Sequence, residues 1–105
     1  MQKCIFCQIL NGEVATDFLY QDENFVAFKD IRPKAPTHVL VIPREHIESL
    51  NHVTEYHKTL MGNLMLVIPR IAKQIGLSGF KTQFNTGSAG GQEVFHLHAH
   101  ILGGK

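Results

Sequence analysis

The chain has 105 residues, a formal net charge of +1, 44% hydrophobic residues and 18% charged residues. This length suits one compact domain with a core, so we expect residues 1–105 to form a single domain. Apolar runs fall well short of the roughly 20 residues that a membrane-spanning helix needs, and the first ten residues lack the apolar stretch of a secretory signal. The charge forms no basic stripe that would suit nucleic acid. We therefore expect a cytoplasmic protein that binds neither membranes nor nucleic acid.

The first part of the chain predicts one short helix and three short strands. The helix is predicted from Ile5 to Leu10, where an Asn-Gly pair follows it. Two aromatic-rich runs, Phe18–Gln21 and Phe25–Lys29, flank a polar turn and predict a hairpin. The apolar run Thr37–Ile42 lies between two prolines, which limit a third strand on both sides.

The middle of the chain predicts one long helix. From Thr54 to Ile75, apolar residues recur at spacings of three and four, which places them on one helical face. Pro69 lies inside this pattern. A proline in a helix interior removes a hydrogen bond at a cost of about 3 kcal/mol, so we expect a kink or an early end there. Gly76 is predicted to stop the helix.

The last part predicts two more strands, Phe80–Asn85 and Val94–Leu102, around the glycine-rich turn Gly87–Gly91. Runs of strands interrupted by one long helix are typical of α+β folds. We therefore expect an antiparallel sheet of about five strands, one long helix and a short N-terminal helix.

Three histidines occupy alternate positions of the last predicted strand: His96, His98 and His100. With seven histidines in 105 residues, about 0.03 such triplets are expected by chance. Side chains alternate faces along a strand, so the imidazoles share one face. The other face then belongs to the core, with Phe95, Leu97, Ala99 and Ile101. Clustered imidazoles ligate metals or perform nucleophilic and acid–base chemistry near neutral pH.

The spacing of the three histidines favours separate tasks. At about 3.3 Å per residue, the first and third lie roughly 13 Å apart, so one ion bound by all three would require strong bending. The turn before them supplies backbone N–H groups that are free to approach a phosphate, with Asn85 before it and Gln92 and Glu93 after it. A glycine-rich turn alone is more often a plain tight connection, but it gains weight beside three histidines.

The stretch His96-Leu97-His98-Ala99-His100-Ile101-Leu102 resembles the signature of the histidine-triad (HIT) family. The similarity extends over nearly the whole chain and looks like the Hint branch, with matching segments at Phe28–Ile31, Ala35–His38, Val41–Ile47 and Gly90–Gln92. It implies HIT-like antiparallel sheets that join into one larger sheet in a homodimer. It also implies hydrolysis of the P–N bond of purine nucleoside 5′-phosphoramidates, that is, AMP conjugates, with no organic cofactor.

The resemblance also implies roles for particular side chains. His98 would be the nucleophile that forms a nucleotidyl-histidine intermediate, and His100 and Asn85 would hold phosphate or ribose oxygens. Asp30 would bind the ribose hydroxyls, with Ile31 against the base.

Four further positions complete the implied nucleotide site: His38, Gly91, Gln92 and Glu93. His38 would order the triad or help to protonate the departing amine. Glu93 stands where other members of the family have serine, and it would bring a carboxylate close to an anionic substrate. It is then protonated, turned away or a determinant of leaving-group preference.

A second set of residues resembles the zinc site of some HIT relatives and of galactose-1-phosphate uridylyltransferases: Cys4, Cys7, His46 and His96. Two cysteines and two histidines form a closed tetrahedral structural set, so we expect a structural zinc ion. In the alternative, Cys4 and Cys7 are simply small buried residues of the first helix.

Two other classes of function compete with the phosphoramidase hypothesis. One is a metalloenzyme or cupin-like protein in which His96, His98 and His100 bind a catalytic ion. The other is a non-catalytic nucleotide-binding or interaction module with a vestigial site.

Overall fold

The computed structural model describes residues 4–104 and contains a five-stranded antiparallel sheet with two α-helices, which confirms the predicted α+β fold. The strands are β1 (Tyr20–Gln21), β2 (Phe25–Lys29), β3 (Thr37–Pro43), β4 (Lys81–Gln83) and β5 (Ala99–Gly103), in the spatial order β1-β2-β3-β5-β4. The helices are α1 (Ile5–Leu10) and α2 (Lys58–Gln74). Short 3-10 turns span Leu50–His52, Glu55–His57 and Ser88–Gly90. No helix within residues 4–104 is both long enough and apolar enough to cross a membrane.

The central strands are buried on both faces, because each face is covered by a different helix. Alternate residues of β2, β3 and β5 pack with α2 in one apolar cluster, which includes Ala27, Val41 and Ile101. The intervening residues of β2 and β3 pack with Phe6 and Ile9 of α1 in a second cluster. Leu40 belongs to this second cluster and pairs with His100 across β3 and β5. His100 therefore points to the α1 side of the sheet.

The long helix begins later than predicted, and it continues past Pro69. It starts at Lys58 rather than Thr54, because Thr54 and His57 form a capping box that begins a 3-10 turn. The expected early end at Pro69 is wrong, since α2 continues to Gln74. Pro69 and Met65, whose carbonyl loses its helical partner, are both exposed, so that this carbonyl is not forced into the core. Gly76 follows with a φ of 89°, as the predicted stop requires.

The last strand is shorter than predicted, and this changes the setting of the histidines. It begins at Ala99 instead of Val94, so His96 and His98 precede it. Pro43 has no N–H to extend the pairing between β3 and β5, and the Leu97 N–H donates to the Ile47 carbonyl instead. Phe95, expected on the core face, is 41% exposed. The segment from 94 to 98 therefore bends away from the sheet.

Candidate active site

A cleft of about 1170 Å³ opens on the α1 side of the sheet. Its walls come from α1 and the loop after it, the ends of β2 and β4, and strands β3 and β5. Eight of the predicted catalytic and nucleotide-binding residues line it: Asp30, Ile31, His38, Asn85, Gly91, Glu93, His98 and His100. The cleft thus brings together residues from four separate parts of the chain.

One ring nitrogen of His98 is hydrogen-bonded to the main chain, and the other is free. Its Nδ1–H donates to the His96 carbonyl at 2.7 Å, so Nε2 keeps its lone pair. The edge of the Phe6 ring packs on His98, with ring centroids 5.1 Å apart. Burial lowers the pKa of His98, which keeps the ring neutral near pH 7. A neutral imidazole with a free Nε2 is a competent nucleophile.

His38 and His100 form a directed chain of hydrogen bonds. The Lys34 backbone N–H donates to His38 Nδ1 at 3.0 Å, so the His38 proton resides on Nε2. That Nε2–H donates to His100 Nδ1 at 2.9 Å. His100 therefore carries its own proton on Nε2. The arrangement leaves His100 as a hydrogen-bond donor whose orientation is set by His38.

Asp30 lies beside this chain and next to an exposed apolar residue. Its Oδ1 accepts the Arg32 backbone N–H at 2.8 Å, and its Oδ2 lies 3.4 Å from His38 Nε2. Ile31 is 91% exposed at the cleft. Asp30, His38 and His100 have ligand-type atoms close enough for a metal ion, but both nitrogens of His38 are already engaged in hydrogen bonds. This group is therefore better suited to proton and hydroxyl chemistry than to a metal.

The glycine-rich turn depends on two glycines in the left-handed region. Gly87 has a φ of 73° and Gly91 a φ of 86°. Asn85 Nδ2 donates to the Gly90 carbonyl at 2.9 Å, and a Cβ on Gly91 would lie 3.2 Å from that nitrogen. Only glycine suits this position on both counts.

Gln92 supports the turn from behind and does not line the cleft. The Gly87 N–H donates to Gln92 Oε1 at 2.8 Å, and Gln92 Nε2 donates to the Glu48 carbonyl at 2.7 Å and to the Val94 carbonyl at 3.0 Å. Its side chain is buried, whereas the neighbouring Glu93 is exposed at the cleft. Gln92 thus holds the turn in place while Glu93 faces the space where a ligand would lie.

The four predicted metal ligands come together on the far side of Phe6. Cys4 Sγ and Cys7 Sγ lie 3.4 Å and 3.6 Å from His96 Nδ1, and His46 Nδ1 lies 3.2 Å from the same atom. Burial, and after it the hydrogen bond to Cys4, raises the pKa of the Cys7 thiol to about 11. Two thiolates at this position would therefore need a nearby cation to stabilise their charge. The His96 Nε2–H donates to the Pro43 carbonyl at 2.8 Å, which leaves Nδ1 free as a ligand. This Cys/His cluster can bind a metal ion.

The three triad histidines do not share one ligand set in the described part of the chain. His96 belongs to the Cys/His cluster, His100 to the group with Asp30, and His98 to neither. This separation argues against the metalloenzyme alternative.

Sequence reasoning missed the main-chain groups that determine the histidine tautomers. They are the Lys34 N–H and the carbonyls of Pro43 and His96. It also missed Phe6, whose ring contacts both His96 and His98 edge-on. Main-chain groups have no residue signature, so only the fold reveals them.

The chain matches a known family along almost its whole length. Residues 3–105 match the family model described as scavenger mRNA decapping enzyme C-term binding. Protein HitA of Neisseria gonorrhoeae is 53% identical over 104 residues, which cover 98% of this chain and 97% of HitA. The chain belongs to the histidine-triad (HIT) family. Purine nucleoside phosphoramidase of Escherichia coli strain K12 is 42% identical to this HIT protein over 106 residues, covering 99% and 89% of the two chains.

Solved structures agree with this membership. A HIT family hydrolase from Legionella pneumophila Philadelphia 1 matches with a TM-score of 0.93 and 44% identity, covering 98% of this chain and 94% of that one. A zinc-bound HIT family protein from Mycobacterium smegmatis matches with a TM-score of 0.80 and 34% identity, covering 97% and 75%. The HIT protein is thus an enzyme, a hydrolase.

The stability of this HIT protein should decline in acid partly through His100. Burial, assisted by the nearby His98 and His38 rings, lowers the pKa of His100 from 6.5 to about 4. Between these values the unfolded chain binds a proton that the folded chain does not, so stability falls as the pH falls through this interval. Above 6.5 the effect is absent.

In the His100→Gln variant, stability should therefore fall less steeply with falling pH, by up to about 1 kcal/mol per pH unit. The full value for one proton is about 1.4 kcal/mol per pH unit, and it is reduced here because the side chain is partly exposed. Urea denaturation across the interval measures the slope. Asn51→Ala, which changes an exposed, non-titratable residue outside the cleft, serves as the control and should keep the wild-type slope. Equal slopes for wild type and His100→Gln would contradict the prediction.

Proposed function

We propose that this HIT hydrolase cleaves the P–N bond of purine nucleoside 5′-phosphoramidates through a nucleotidyl-His98 intermediate. The observation that carries the proposal is the free Nε2 of a neutral, buried His98 at a cleft, with Nδ1–H engaged by the His96 carbonyl. The purine assignment is supported by the 42% identity to the E. coli enzyme named purine nucleoside phosphoramidase.

The reaction proceeds by two displacements at phosphorus. In the first, His98 Nε2 forms a bond to phosphorus while the P–N bond of the substrate breaks, and the departing nitrogen takes up one proton to leave as an amine. In the second, water attacks phosphorus, the P–N bond to His98 breaks, and water loses one proton. The products are the amine and the nucleoside 5′-monophosphate, so one water molecule is consumed overall.

The protonated Nε2 of His100 supplies a hydrogen bond to a non-bridging phosphate oxygen as charge builds up there. His38 keeps His100 in this donor form through the bond from His38 Nε2 to His100 Nδ1. Both rings stay neutral, so the departing amine takes its proton from water in the open cleft. Asn85 and the backbone around Gly91 line the same cleft and hold the remaining oxygens.

The nucleoside binds at the Asp30 end of the cleft. The Asp30 carboxylate accepts hydrogen bonds from the ribose hydroxyls, since its Oδ2 has only the long contact to His38. Ile31 offers a 91% exposed apolar surface for the flat face of a purine. Gln92 contributes indirectly, by supporting the turn that carries Gly91.

Replacing His98 by asparagine should reduce amine release from an adenosine phosphoramidate by about a thousandfold or more, because the nucleophile is lost. In the wild type, mass spectrometry of quenched reactions should find an adenylyl group on the peptide that carries His98. His52→Asn provides the matched control and should retain activity, since His52 lies outside the cleft.

Turnover without any such adduct would contradict the covalent mechanism. Pure wild-type protein that binds AMP yet releases no amine would instead favour the non-catalytic nucleotide-binding module.

We also propose that the Cys/His cluster holds a structural zinc ion. In a tetrahedral zinc site with Zn–S near 2.3 Å and Zn–N near 2.0 Å, neighbouring ligand atoms lie about 3.3 to 3.8 Å apart. The distances from His96 Nδ1 to the other three ligand atoms, between 3.2 and 3.6 Å, fit this geometry closely. When bound, zinc supplies a cross-link between α1 and the loops around His46 and His96. Because such a site needs reduced thiolates, we propose that the protein works in the cytoplasm.

Zinc analysis of purified protein should find about one ion per chain in the wild type and in His98→Asn. Cys7→Ser should lose the ion and about 3 kcal/mol or more of unfolding free energy. Loss of the metal in His98→Asn would support the metalloenzyme alternative, and a wild type without zinc would contradict the structural site.

We further propose that two protomers associate through β4 and α2. All three residues of the edge strand β4 are exposed, so its outer hydrogen-bonding groups are free to pair with a second copy. On α2, the adjacent residues Met65 and Leu66 are 52% and 66% exposed, and together they offer an apolar surface to a second copy.

Light scattering should give the mass of a dimer for the wild type and of a monomer for Leu66→Glu, because a charge buried in the interface is costly. Glu23→Lys, a charge change in the β1–β2 turn at the opposite edge of the sheet, should remain dimeric. A wild-type monomer, or a dimeric Leu66→Glu, would refute this arrangement.

A further inference from the structure

Glu93 lies at the opposite end of the cleft from Asp30. The Asp30 N–H donates to the His38 carbonyl, and His38 pairs with Leu102, so Asp30 lies near the level of Leu102. Gln83, the last residue of β4, pairs with His100, and Asn85 follows it in the direction of His98, which directly precedes β5. Leu102 and His98 are four residues apart, which corresponds to at most about 13 Å of extended chain.

Two contacts place Glu93 at the His98 level. A Cβ on Gly91 would lie 3.2 Å from Asn85 Nδ2, so the turn reaches the cleft beside Asn85. Val94 packs against the same apolar cluster as Phe6, whose ring contacts His98. Glu93 stands between Gly91 and Val94 in the chain and lines the cleft.

The other charged residues that line the cleft lie towards Asp30. Lys29, Arg32 and Lys34 flank Asp30 in the chain, and Lys81 pairs with Leu102. Asp17 also lines the cleft and precedes β1. If the pairing of β1 with β2 is followed beyond Tyr20 and Ala27, Asp17 comes to lie near Asp30. Within the described residues, Glu93 is therefore the one charged residue lining the cleft whose main chain lies towards His98. The Asp30 carboxylate reaches back towards the histidines and lies 3.4 Å from His38 Nε2.

Apolar side chains lie beside Glu93 at that end. Ile5, which is 41% exposed, and Val94 both line the cleft. An alkyl chain can cover these side chains while a positively charged group at its tip meets the carboxylate. An anionic tip would be repelled.

We propose that Glu93 is a specificity-determining residue that makes the enzyme prefer leaving amines with a second, cationic group on an alkyl chain, as in a diamine. This rests on the proposed phosphoramidase function. With the nucleoside at the Asp30 end and phosphorus at His98 Nε2, the amine is the part of the substrate that extends towards Glu93. The carboxylate then acts on the leaving group and leaves the nucleotide half untouched.

Three adenosine phosphoramidates of equal chain length test the proposal: those of butylamine, putrescine and γ-aminobutyrate. For the wild type, kcat/KM should be highest for putrescine, by about two- to fivefold over butylamine, as expected for a partly solvated ion pair, and lowest for γ-aminobutyrate. The preference should shrink as salt is added.

Glu93→Gln should bring the three kcat/KM values together, mainly by slowing the putrescine conjugate and speeding the γ-aminobutyrate conjugate. Glu93→Asp, which keeps the charge, should retain part of the preference. Glu23→Gln removes the same charge from an exposed glutamate outside the cleft and should retain the full wild-type preference.

A wild type that hydrolyses all three conjugates equally, or a Glu93→Gln variant that keeps the wild-type order, would overturn the role of Glu93 and leave the phosphoramidase proposal standing. Failure to release amine from any conjugate would overturn the proposed function itself.

Discussion

The site depends on main-chain hydrogen bonds that engage one ring nitrogen in each of His38, His96 and His98. The Pro43 and His96 carbonyls accept from His96 Nε2 and His98 Nδ1, and the Lys34 N–H donates to His38 Nδ1. A neutral imidazole has one donor and one acceptor nitrogen, so each bond decides what the other nitrogen offers. His96 is left with a ligand atom, His98 with a nucleophile and His38 with a donor to His100. Identical side chains thereby acquire different chemistry.

The early end of the β3–β5 pairing keeps these tasks apart. Pro43 cannot donate a hydrogen bond, so the chain bends before Ala99 and is held by the bond from the Leu97 N–H to the Ile47 carbonyl. In this bent segment His96 is turned towards the cysteines, while His98 stays at the cleft. A regular strand through Val94 would have left all three imidazoles on one face of the sheet.

The cysteine cluster and the cleft are joined through α1. Cys4 and Cys7 bracket Phe6, and the Phe6 ring packs edge-on against both His96 and His98, with centroid distances of 5.8 and 5.1 Å. A cation held by the thiolates would fix α1 and, with it, the apolar surface that buries His98. That burial is what lowers the pKa of His98 and keeps it neutral. A structural ion at one end would thus help to define the proposed nucleophile at the other.

Sequence by itself determined the element types, since apolar spacing of two or of three and four reflects strand and helix geometry directly, and glycines such as Gly76 mark their ends. It also singled out the histidine row and, by resemblance, the side chains that now line one cleft. The expected early end of the helix at Pro69 and the expected start of the last strand at Val94 were wrong, because solvent exposure and the partner of a proline are tertiary properties. Three further features depend on groups that are distant in sequence. They are the tautomers of the histidines, the orientation of Gln92 away from the cleft, and the opposed positions of Asp30 and Glu93. Only the folded chain brings those groups within hydrogen-bonding distance.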